Sequence, residues 1–286
     1  MTLLGRRLLL VLLILCTGCT SLFFHPYQER YLTPDQVGLT YKELSITNDQ
    51  GEKLYGWRLT TVEPPHTLLI FLHGNAGNIS THLGTIAHFP KEGFEVVTMD
   101  YSGYGNSGGI ASIDQIHSDV EEMIRVFSEE AKSRDLPFLL IGESLGATLS
   151  LTVGSTIPSH LRPKCIGAIA PFSSYRSIAR EKLATLWLTY LFQWPLGFLV
   201  TDTFSPIDRL QEYTIPTLLI HGSSDEVVPY HHSRDLCEKM GTTCIQLYTH
   251  NGGHDGTMLQ PDTRAVVISF LKSSTCRRKI VSQPET

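Results

Sequence analysis

The sequence has little charge and no broad excess of positive charge. Lys and Arg total 23 residues against 28 Asp and Glu, which gives a net charge of −5, and charged residues make up 18% of the 286. The one basic run is Arg277-Arg278-Lys279. A protein that neutralises a phosphate backbone needs clustered cations, so nucleic acid is not an expected partner. With 42% hydrophobic residues, the chain can instead bury the core of one globular domain.

Long hydrophobic runs are also scarce. The apolar run Leu8–Leu15 follows Arg6 and Arg7 and is far shorter than the roughly 20 residues that a membrane-spanning helix needs. A short apolar run after a basic start is typical of an export signal. We therefore predict an export segment over residues 1–19, with a plain signal peptide or a short signal anchor as alternatives to the lipoprotein signal considered next.

The end of this segment, Thr17-Gly18-Cys19, resembles the end of a bacterial lipoprotein signal, in which the Cys after a small residue becomes lipidated. Cys16 stands where that family usually has Leu, although Leu15 is next to it. The resemblance implies lipidation of Cys19 and a lipid-anchored membrane protein of the bacterial cell envelope that faces the periplasm. A secreted protein and a signal-anchored membrane protein remain alternatives.

The sequence has no Cys-x-x-Cys pair accompanied by a second Cys or His pair, so no zinc site is expected. Four cysteines lie beyond the export segment: Cys165, Cys237, Cys244 and Cys276. Cys237 and Cys244 are seven positions apart across a predicted helix-to-strand turn, and in an exported protein they could pair. Connectivity cannot be read from sequence, and buried free thiols are an equal alternative.

Strand-like and helix-like segments alternate from residue 38 to residue 272, which is the pattern of a mostly parallel sheet flanked by helices in an α/β fold. Continuous apolar runs are typical of its buried strands. We predict about eight strands: Tyr41–Thr47, Leu54–Thr61, Thr67–Leu72, Glu95–Met99, Phe138–Ile141, Ile166–Ala170, Thr217–Ile220 and Cys244–Tyr248. Residues 20–37 are predicted to be a linker, and residues 273–286 a frayed tail.

Apolar residues recur every three or four positions from Ile113 to Ala131, which predicts an amphipathic helix with Ser112 as its N-cap. Further helices are predicted over Leu145–Ile157, His231–Met240 and Pro261–Leu271.

Residues 172–206 form an aromatic-rich insertion that we predict to be a small helical cap over the active site. Its apolar residues include Trp187, Tyr190, Leu191, Phe192, Trp194, Phe198 and Leu199. The alternative is that these side chains are packed core, since aromatic stripes usually are.

The segment Gly142-Glu143-Ser144-Leu145-Gly146 lies between a buried strand and a helix. A Gly-x-Ser-x-Gly motif alone occurs by chance in many proteins, but this setting is that of a sharp strand-to-helix turn that exposes a nucleophilic serine. Flanking glycines remove the side chains that would clash in such a turn. We predict Ser144 as the nucleophile, with a structural helix N-cap as the alternative.

A serine hydroxyl needs a base that takes its proton and a carboxylate that orients the base. Asp225 follows the predicted strand at Thr217–Ile220, and His254 follows two glycines beyond the last strand. We predict Ser144, Asp225 and His254 as the catalytic residues, in the chain order of α/β-hydrolases. The competing side chains weighed were His250, His221, His73, Asp202 and Glu226.

Catalysis by a serine also requires two amides that stabilise the oxyanion. Leu145 can supply one from the N-terminus of its helix, and the loop 73–78 is expected to supply the other, from Asn75. This loop has neither Gly-x-Gly-x-x-Gly nor a Gly-Lys-Ser ending, which disfavours a phosphate-binding loop. Glu143 is expected to tune the turn or bind a backbone amide rather than to take part in catalysis.

Together these segments resemble an α/β-hydrolase domain, most closely the subgroup of membrane-associated lipases and protein depalmitoylases with bacterial lipoprotein relatives. The resemblance covers residues 40–272 and rests on His73-Gly74-Asn75-Ala76-Gly77-Asn78, Asp100-Tyr101-Ser102-Gly103-Tyr104-Gly105-Asn106-Ser107-Gly108, Gly142-Glu143-Ser144-Leu145-Gly146, His221-Gly222-Ser223-Ser224-Asp225 and Gly253-His254. Ser102 stands where relatives often have Arg, which leaves the wall of the site open. The family's catalytic residues match Ser144, Asp225 and His254, and no cofactor or metal is implied.

The resemblance and the motifs predict a serine hydrolase that cleaves a carboxylic ester or thioester through an acyl-serine intermediate. A small-molecule or lipid-like acyl group is the expected substrate. A peptidase or amidase with the same catalytic residues is one alternative. A non-catalytic envelope binding protein is another, because fold does not fix function.

Overall fold

A computed structural model describes residues 24–185, 193–198, 200–210 and 213–277. Its main sheet has eight strands in the order β8-β7-β6-β5-β3-β4-β2-β1. Their bounds are β1 Tyr41–Thr47, β2 Lys53–Leu59, β3 Thr67–Leu72, β4 Phe94–Met99, β5 Phe138–Glu143, β6 Ile166–Ile169, β7 Thr217–Gly222 and β8 Cys244–His250. Only β2 runs against its neighbours, so the predicted mostly parallel sheet is confirmed.

The strands in the middle of the sheet are the continuous apolar runs of the sequence. Every residue of β3, β4, β5 and β7 is buried, whereas the edge strand β1 is largely exposed. The strand β5 continues two residues beyond its predicted end at Ile141, because Gly142 and Glu143 still pair with Ala168 and Ile169 of β6. Backbone pairing does not depend on side-chain polarity. A strand can therefore extend beyond the apolar run from which it was predicted.

Helices cover both faces of the sheet. The helices are α1 Leu83–Ile86, α2 Ile113–Ser133, α3 Leu145–Thr156, α4 Tyr175–Thr185, α5 Gln193–Gly197, α6 His231–Met240, α7 Pro261–Leu271 and α8 Ser274–Arg277. Short 3-10 helices span Pro34–Val37, Ile79–His82, Phe89–Glu92, Ser159–Leu161, Pro206–Asp208, Gly241–Thr243 and Thr257–Leu259. Side chains of α2, α3 and α6 pack on one face of the sheet, and those of α1 and α7 on the other. The Ser112 hydroxyl accepts a hydrogen bond from the Gln115 amide at 3.2 Å, as its predicted role as N-cap of α2 requires.

The prediction of a linker over residues 20–37 is wrong for residues 24–31, which pack against the domain. Phe24 is buried, and His25–Pro26 pairs in parallel with Ala76–Gly77. The Asn78 side chain donates hydrogen bonds to two further main-chain carbonyls of this segment. Residues 24–31, which we call the N-terminal strap, therefore belong to the folded domain, because their backbone groups pair with a loop that the sequence could not identify as their partner. The export segment, residues 1–19 with Cys19, lies outside the described residues.

The four cysteines beyond the predicted export segment form two disulfides. Cys237 is bonded to Cys244, and Cys165 to Cys276. The alternative of free buried thiols is therefore wrong for these four residues. The second bond also corrects the predicted tail: residues 274–277 form α8, whose Cys276 is fully buried against Cys165.

The insertion at residues 172–206 contains α4 and α5 among its described residues. Trp194 and Phe198 are 60% and 63% exposed and lie over the Arg180 guanidinium, so these two aromatic residues are not packed core. The other aromatic residues of the prediction, Trp187, Tyr190 and Phe192, lie outside the described residues, as do Leu191 and Leu199. In the described part of the chain, no helix combines the length and apolar character needed to cross a membrane.

Candidate active site

Ser144 occupies the turn between β5 and α3 in a backbone conformation that non-glycine residues rarely adopt. Its φ is 54° and its ψ is −114°, and its amide donates to the Ile169 carbonyl at 2.8 Å. Such conformations cost of order 1–3 kcal/mol and persist only where the surroundings enforce them. The side chain makes no capping hydrogen bond, so the alternative of a structural N-cap finds no support.

The two glycines of the motif are required by space. A Cβ atom on Gly142 would lie 2.2 Å from the Gly146 carbonyl oxygen, and one on Gly146 would lie 1.9 Å from the Leu72 carbonyl oxygen. Both neighbours are backbone atoms, which cannot swing away. The strand β3 and the start of α3 therefore approach each other so closely that only glycine fits.

His254 and Asp225 are brought together from two loops at the carboxyl end of the sheet. His254 Nδ1 lies 2.7 Å from Asp225 Oδ2, and Asp225 Oδ1 accepts from the amides of Val227 and Val228, both at 2.8 Å. Burial opposes ionisation of Asp225, but its contacts with His221 and His254 and these amides outweigh burial and hold its pKa well below the usual range. The carboxylate is thus ionised and holds the His254 ring in one orientation.

Ser144 and His254 line the same cavity, whose volume is about 780 Å³. Within the described residues no hydrogen bond joins the Ser144 hydroxyl to His254, a contact that is often long before substrate binds. The structure therefore assembles the His254–Asp225 pair and places Ser144 at the wall of their cavity.

The competing side chains have other partners. His221 lies between the Ser233 hydroxyl and the Val228 carbonyl, and His250 lies between Gln260 and Thr257. Asp202 binds the hydroxyl groups of Ser174 and Ser205, Glu226 is exposed, and burial lowers the pKa of the enclosed His73 to about 3. None of these five side chains lines the cavity in the described residues; Asp225 does not line it either, but it binds His254, which does.

Asn75 and Leu145, the predicted sources of the oxyanion amides, lie in the loop after β3 and directly after Ser144. Asn75 lines the cavity, and the Tyr104 hydroxyl donates to its carbonyl oxygen at 2.9 Å. Leu145 is the first residue of α3, where amides lack partners within the helix. Ser102 is buried away from the cavity and contacts Asn48 and Asp119, so it forms no part of the wall.

The contacts of Glu143 differ from those predicted from the sequence. Its Oε2 accepts hydrogen bonds from His82 Nδ1 at 2.9 Å and from the Thr85 hydroxyl at 3.0 Å, rather than from a backbone amide. All three residues line the cavity. His82 belongs to no motif, so no local signal could have identified it.

The apolar wall of the cavity comes largely from the insertion and from loops after β7 and β8. It is formed by Phe172, Ile178, Leu183, Val227, Met258 and Leu259. Ile178 and Leu183 belong to α4, so a helix of the insertion lies directly over the site.

A family model described as serine aminopeptidase, S33, matches residues 63–199. The strand order, the turn at Ser144 and this match agree on one fold. The chain has the α/β-hydrolase fold.

Individual relatives and solved structures are similar over most of the chain. The uncharacterized protein YfhR of Escherichia coli K12 is 27% identical over 220 residues, which cover 75% of this chain and 72% of that protein. The alpha/beta hydrolase domain-containing protein 17B of Xenopus laevis is 26% identical over 67% of this chain and 61% of its own. The Pyrococcus furiosus esterase Pf2001 superposes with a TM-score of 0.73 at 22% identity, over 87% of this chain and 97% of that chain.

Proposed function

We propose that the protein is a serine hydrolase that cleaves a carboxylic ester or thioester through an acyl-Ser144 intermediate. The observation that carries the proposal is that His254, paired with an ionised Asp225, lines the same cavity as the strained Ser144. A histidine oriented in this way can accept a proton from a serine at neutral pH, which the hydroxyl alone does not release.

In the acylation step, His254 Nε2 takes the Ser144 proton while Oγ bonds to the substrate carbonyl carbon. The carbonyl electrons move onto oxygen, where the amides of Asn75 and Leu145 would stabilise the charge. When the carbonyl re-forms, the bond to the leaving alkoxide or thiolate breaks, and His254 returns the proton to that group. Water then repeats the sequence on the acyl-serine, and the carboxylic acid leaves with Ser144 restored.

The wall opposite the polar groups favours an apolar acyl group. Ile178, Val227 and Leu259 come from three different segments and present side chains to the same cavity. Burying a methylene group against such a surface contributes about 0.8 kcal/mol. We expect p-nitrophenyl esters to react faster as the acyl chain lengthens from two to about eight carbons, and fastest turnover of the acetyl ester would contradict an apolar acyl site.

A fluorophosphonate probe tests the mechanism itself. We expect it to label the wild type and not Ser144→Ala, and Asp225→Asn to lower kcat by about 10³- to 10⁴-fold because His254 loses its fixed tautomer. Ser155→Ala, at the far end of α3, is the matched control and should label normally. If the wild type shows neither labelling nor esterase activity, the protein is a binding protein that retains the fold.

A peptidase is the second candidate, since the matching family model is described as a serine aminopeptidase. The same residues can cleave an amide, because the nucleophile and base are identical for oxygen, sulfur and nitrogen leaving groups. Comparing kcat/KM for aminoacyl p-nitroanilides and p-nitrophenyl esters decides between them. Higher values for the anilides would overturn the esterase proposal.

We also propose that the protein is exported and held at the membrane by lipid on Cys19. Two disulfides support an oxidising compartment. The strap begins at Phe24, five residues after Cys19, which an extended chain spans in at most about 18 Å. Because His25 of the strap lines the cavity, such a tether would keep the cavity close to the lipid surface.

Labelling of cells with an alkynyl fatty acid tests the anchor. We expect the wild type to be labelled and to sediment with membranes, and Cys19→Ala to lose the label. Label that persists in Cys19→Ala, or an unlabelled wild type, would overturn lipidation at this position.

A further inference from the structure

A second carboxylate–histidine pair lies in the cavity wall beside Ser144. Glu143 and His82 are 61 positions apart in the sequence, and both side chains are largely buried. Burial disfavours the charge on each, but their contact outweighs it: the pKa of Glu143 is lowered and the pKa of His82 is raised. Both shifts favour the charged form of the residue concerned, and the catalytic steps above do not use this pair.

Hydrogen bonding leads to the same protonation state. His82 Nδ1 contacts a Glu143 carboxylate oxygen at 2.9 Å, and Nε2 contacts the Ala76 carbonyl oxygen at 3.2 Å. Both partners are acceptors, so both ring nitrogens carry protons and the ring is an imidazolium. Thr85 donates to the same Glu143 oxygen, which completes the pairing of that atom.

The His82 ring is also the support on which the loop 74–76 rests. A Cβ atom on Gly74 would lie 3.0 Å from His82 Cε1, so the loop backbone packs directly on the ring. Gly74 and Ala76 flank Asn75, the predicted source of one oxyanion amide. On the other side, Glu143 immediately precedes Ser144 and Leu145, the source of the second amide.

We propose that Glu143 and His82 are positioning residues that form a charged bridge between the two halves of the oxyanion hole. The bridge joins the loop that carries Asn75 to the turn that carries Leu145, and so sets the separation of their amides. The inference rests on the proposed serine hydrolase function. A donor misplaced by about 1 Å stabilises the oxyanion poorly, and the effect falls on the transition state rather than on substrate binding.

Steady-state kinetics of Glu143→Gln and His82→Gln on a p-nitrophenyl ester test the bridge. Each variant is expected to lower kcat by about 10- to 100-fold and to change KM by less than about 2-fold, because the bridge acts on the oxyanion. The double variant should be no slower than the worse single variant, since the two residues act as one unit. His66→Gln is the matched control: His66 also binds a backbone carbonyl, that of Glu92, but lies away from the cavity, and kcat should not change.

A trifluoromethyl ketone inhibitor separates positioning from general loosening of the fold. It forms an oxyanion on Ser144, so its Ki should rise in the variants by the same factor as kcat falls. Unchanged kcat in both variants, or a lower kcat with unchanged Ki, would overturn the bridge.

Fluorophosphonate labelling of the variants should persist, because Ser144, Asp225 and His254 are intact. Loss of labelling in the wild type itself would instead overturn the proposed function and not the bridge alone.

The wild type provides a test that does not depend on folding of the variants. The ¹⁵N chemical shifts of the His82 ring should report two protonated nitrogens at pH 7.5. The acidic groups that face His82 are Glu143, Asp255 and Asp100, and burial raises the pKa of Asp100 to about 7; the adjacent His73 is neutral because burial lowers its pKa to about 3. A neutral His82 ring at this pH would rule out a charged bridge.

Discussion

At the scale of single residues, the motif at Ser144 depends on packing against a strand that is distant in the sequence. Gly146 is needed because the backbone of β3 lies against it, and Gly142 because the first turn of α3 folds back over the end of β5. This close packing maintains the strained backbone conformation of Ser144 and so holds its hydroxyl at the cavity wall. The motif therefore encodes a contact with β3 as well as a nucleophile.

Replacing Gly146 with Ala should destabilise the protein by about 3 kcal/mol or more, because the new methyl group would overlap a backbone carbonyl of β3. Chemical denaturation measures the change. Gly84→Ala is the control, since its Cβ would meet only a Leu259 methyl group at 3.5 Å, an ordinary contact. Equal stability of the two variants would show that the close approach is not enforced.

At the scale of elements, the N-terminal strap is bound to the loop that follows β3. The fully buried Asn78 amide donates to the carbonyls of Tyr27 and Glu29 at 3.0 and 2.7 Å, and the Gly105 amide donates to the Tyr27 carbonyl at 2.9 Å. The strap, which follows the predicted export segment, thus packs against the predicted oxyanion loop.

Asn78→Ala should cost about 1–3 kcal/mol of stability and lower kcat, because the strap loses two hydrogen bonds donated by a buried amide and the oxyanion loop loses this contact; the Tyr27 carbonyl keeps the Gly105 amide as a donor. Chemical denaturation and ester turnover are the measurements. Gln28→Ala removes only an exposed hydrogen bond to Gly103 and should change neither quantity. If Asn78→Ala keeps full activity, the strap does not support the loop.

A charged network joins the sheet to α2. Arg58 of β2 contacts Glu95 of β4 at 2.6 Å and Glu130 of α2 at 2.7 Å, and Arg134 contacts both glutamates. Burial raises the pKa of Glu95, but its contacts with Arg134 and Arg58 lower that pKa by more, so the net shift is a decrease. The pKa of Glu130 is also lowered, chiefly by its contacts with Arg58. The network holds one end of the long helix α2 to the sheet.

Because both folded-state pKa values lie below the ordinary 4.5, this network stabilises the fold above that pH and its contribution is lost as the pH falls further. We expect the free energy of unfolding to decrease below pH 4.5. Glu130→Gln should cost about 1 kcal/mol at pH 7 and flatten this decrease. Glu129→Gln, an exposed neighbour on α2, should do neither, and identical pH profiles for the two variants would count against the network.

At the scale of the whole molecule, the two disulfides close loops of very different length. Cys165–Cys276 spans 111 residues and ties α8 to the start of β6, whereas Cys237–Cys244 spans 7 residues. The chain-entropy model gives about 5 kcal/mol for the longer loop and about 2 kcal/mol for the shorter. Most of the stabilisation by cross-linking should therefore come from the bond at the C-terminal end.

Double Cys→Ala variants of each pair test this difference. Unfolding in urea under oxidising conditions should show the larger loss for the pair Cys165 and Cys276, and a thiol reductant should bring the wild type below both single-pair variants. A larger loss for the short loop would mean that native packing rather than chain entropy governs the effect.

The sequence by itself determined the sheet of mostly parallel strands and the position of Ser144, because apolar runs, glycines and turn residues act through neighbours a few positions away. It also predicted Asp225 and His254 as a pair, since both follow strands whose carboxyl ends meet at one edge. Their catalytic roles stay predictions until activity is measured.

Only the tertiary structure decided the contacts between distant segments. Three contacts join residues 49 or more positions apart: the Glu143–His82 pair, the contact of the strap with Asn78 and the bond from Cys165 to Cys276. No periodicity or spacing relates such residues, because the free energy that brings them together comes from packing the whole sheet with its helices. The position of Ser144 can thus be predicted from its neighbours in the sequence, whereas its surroundings depend on the tertiary fold.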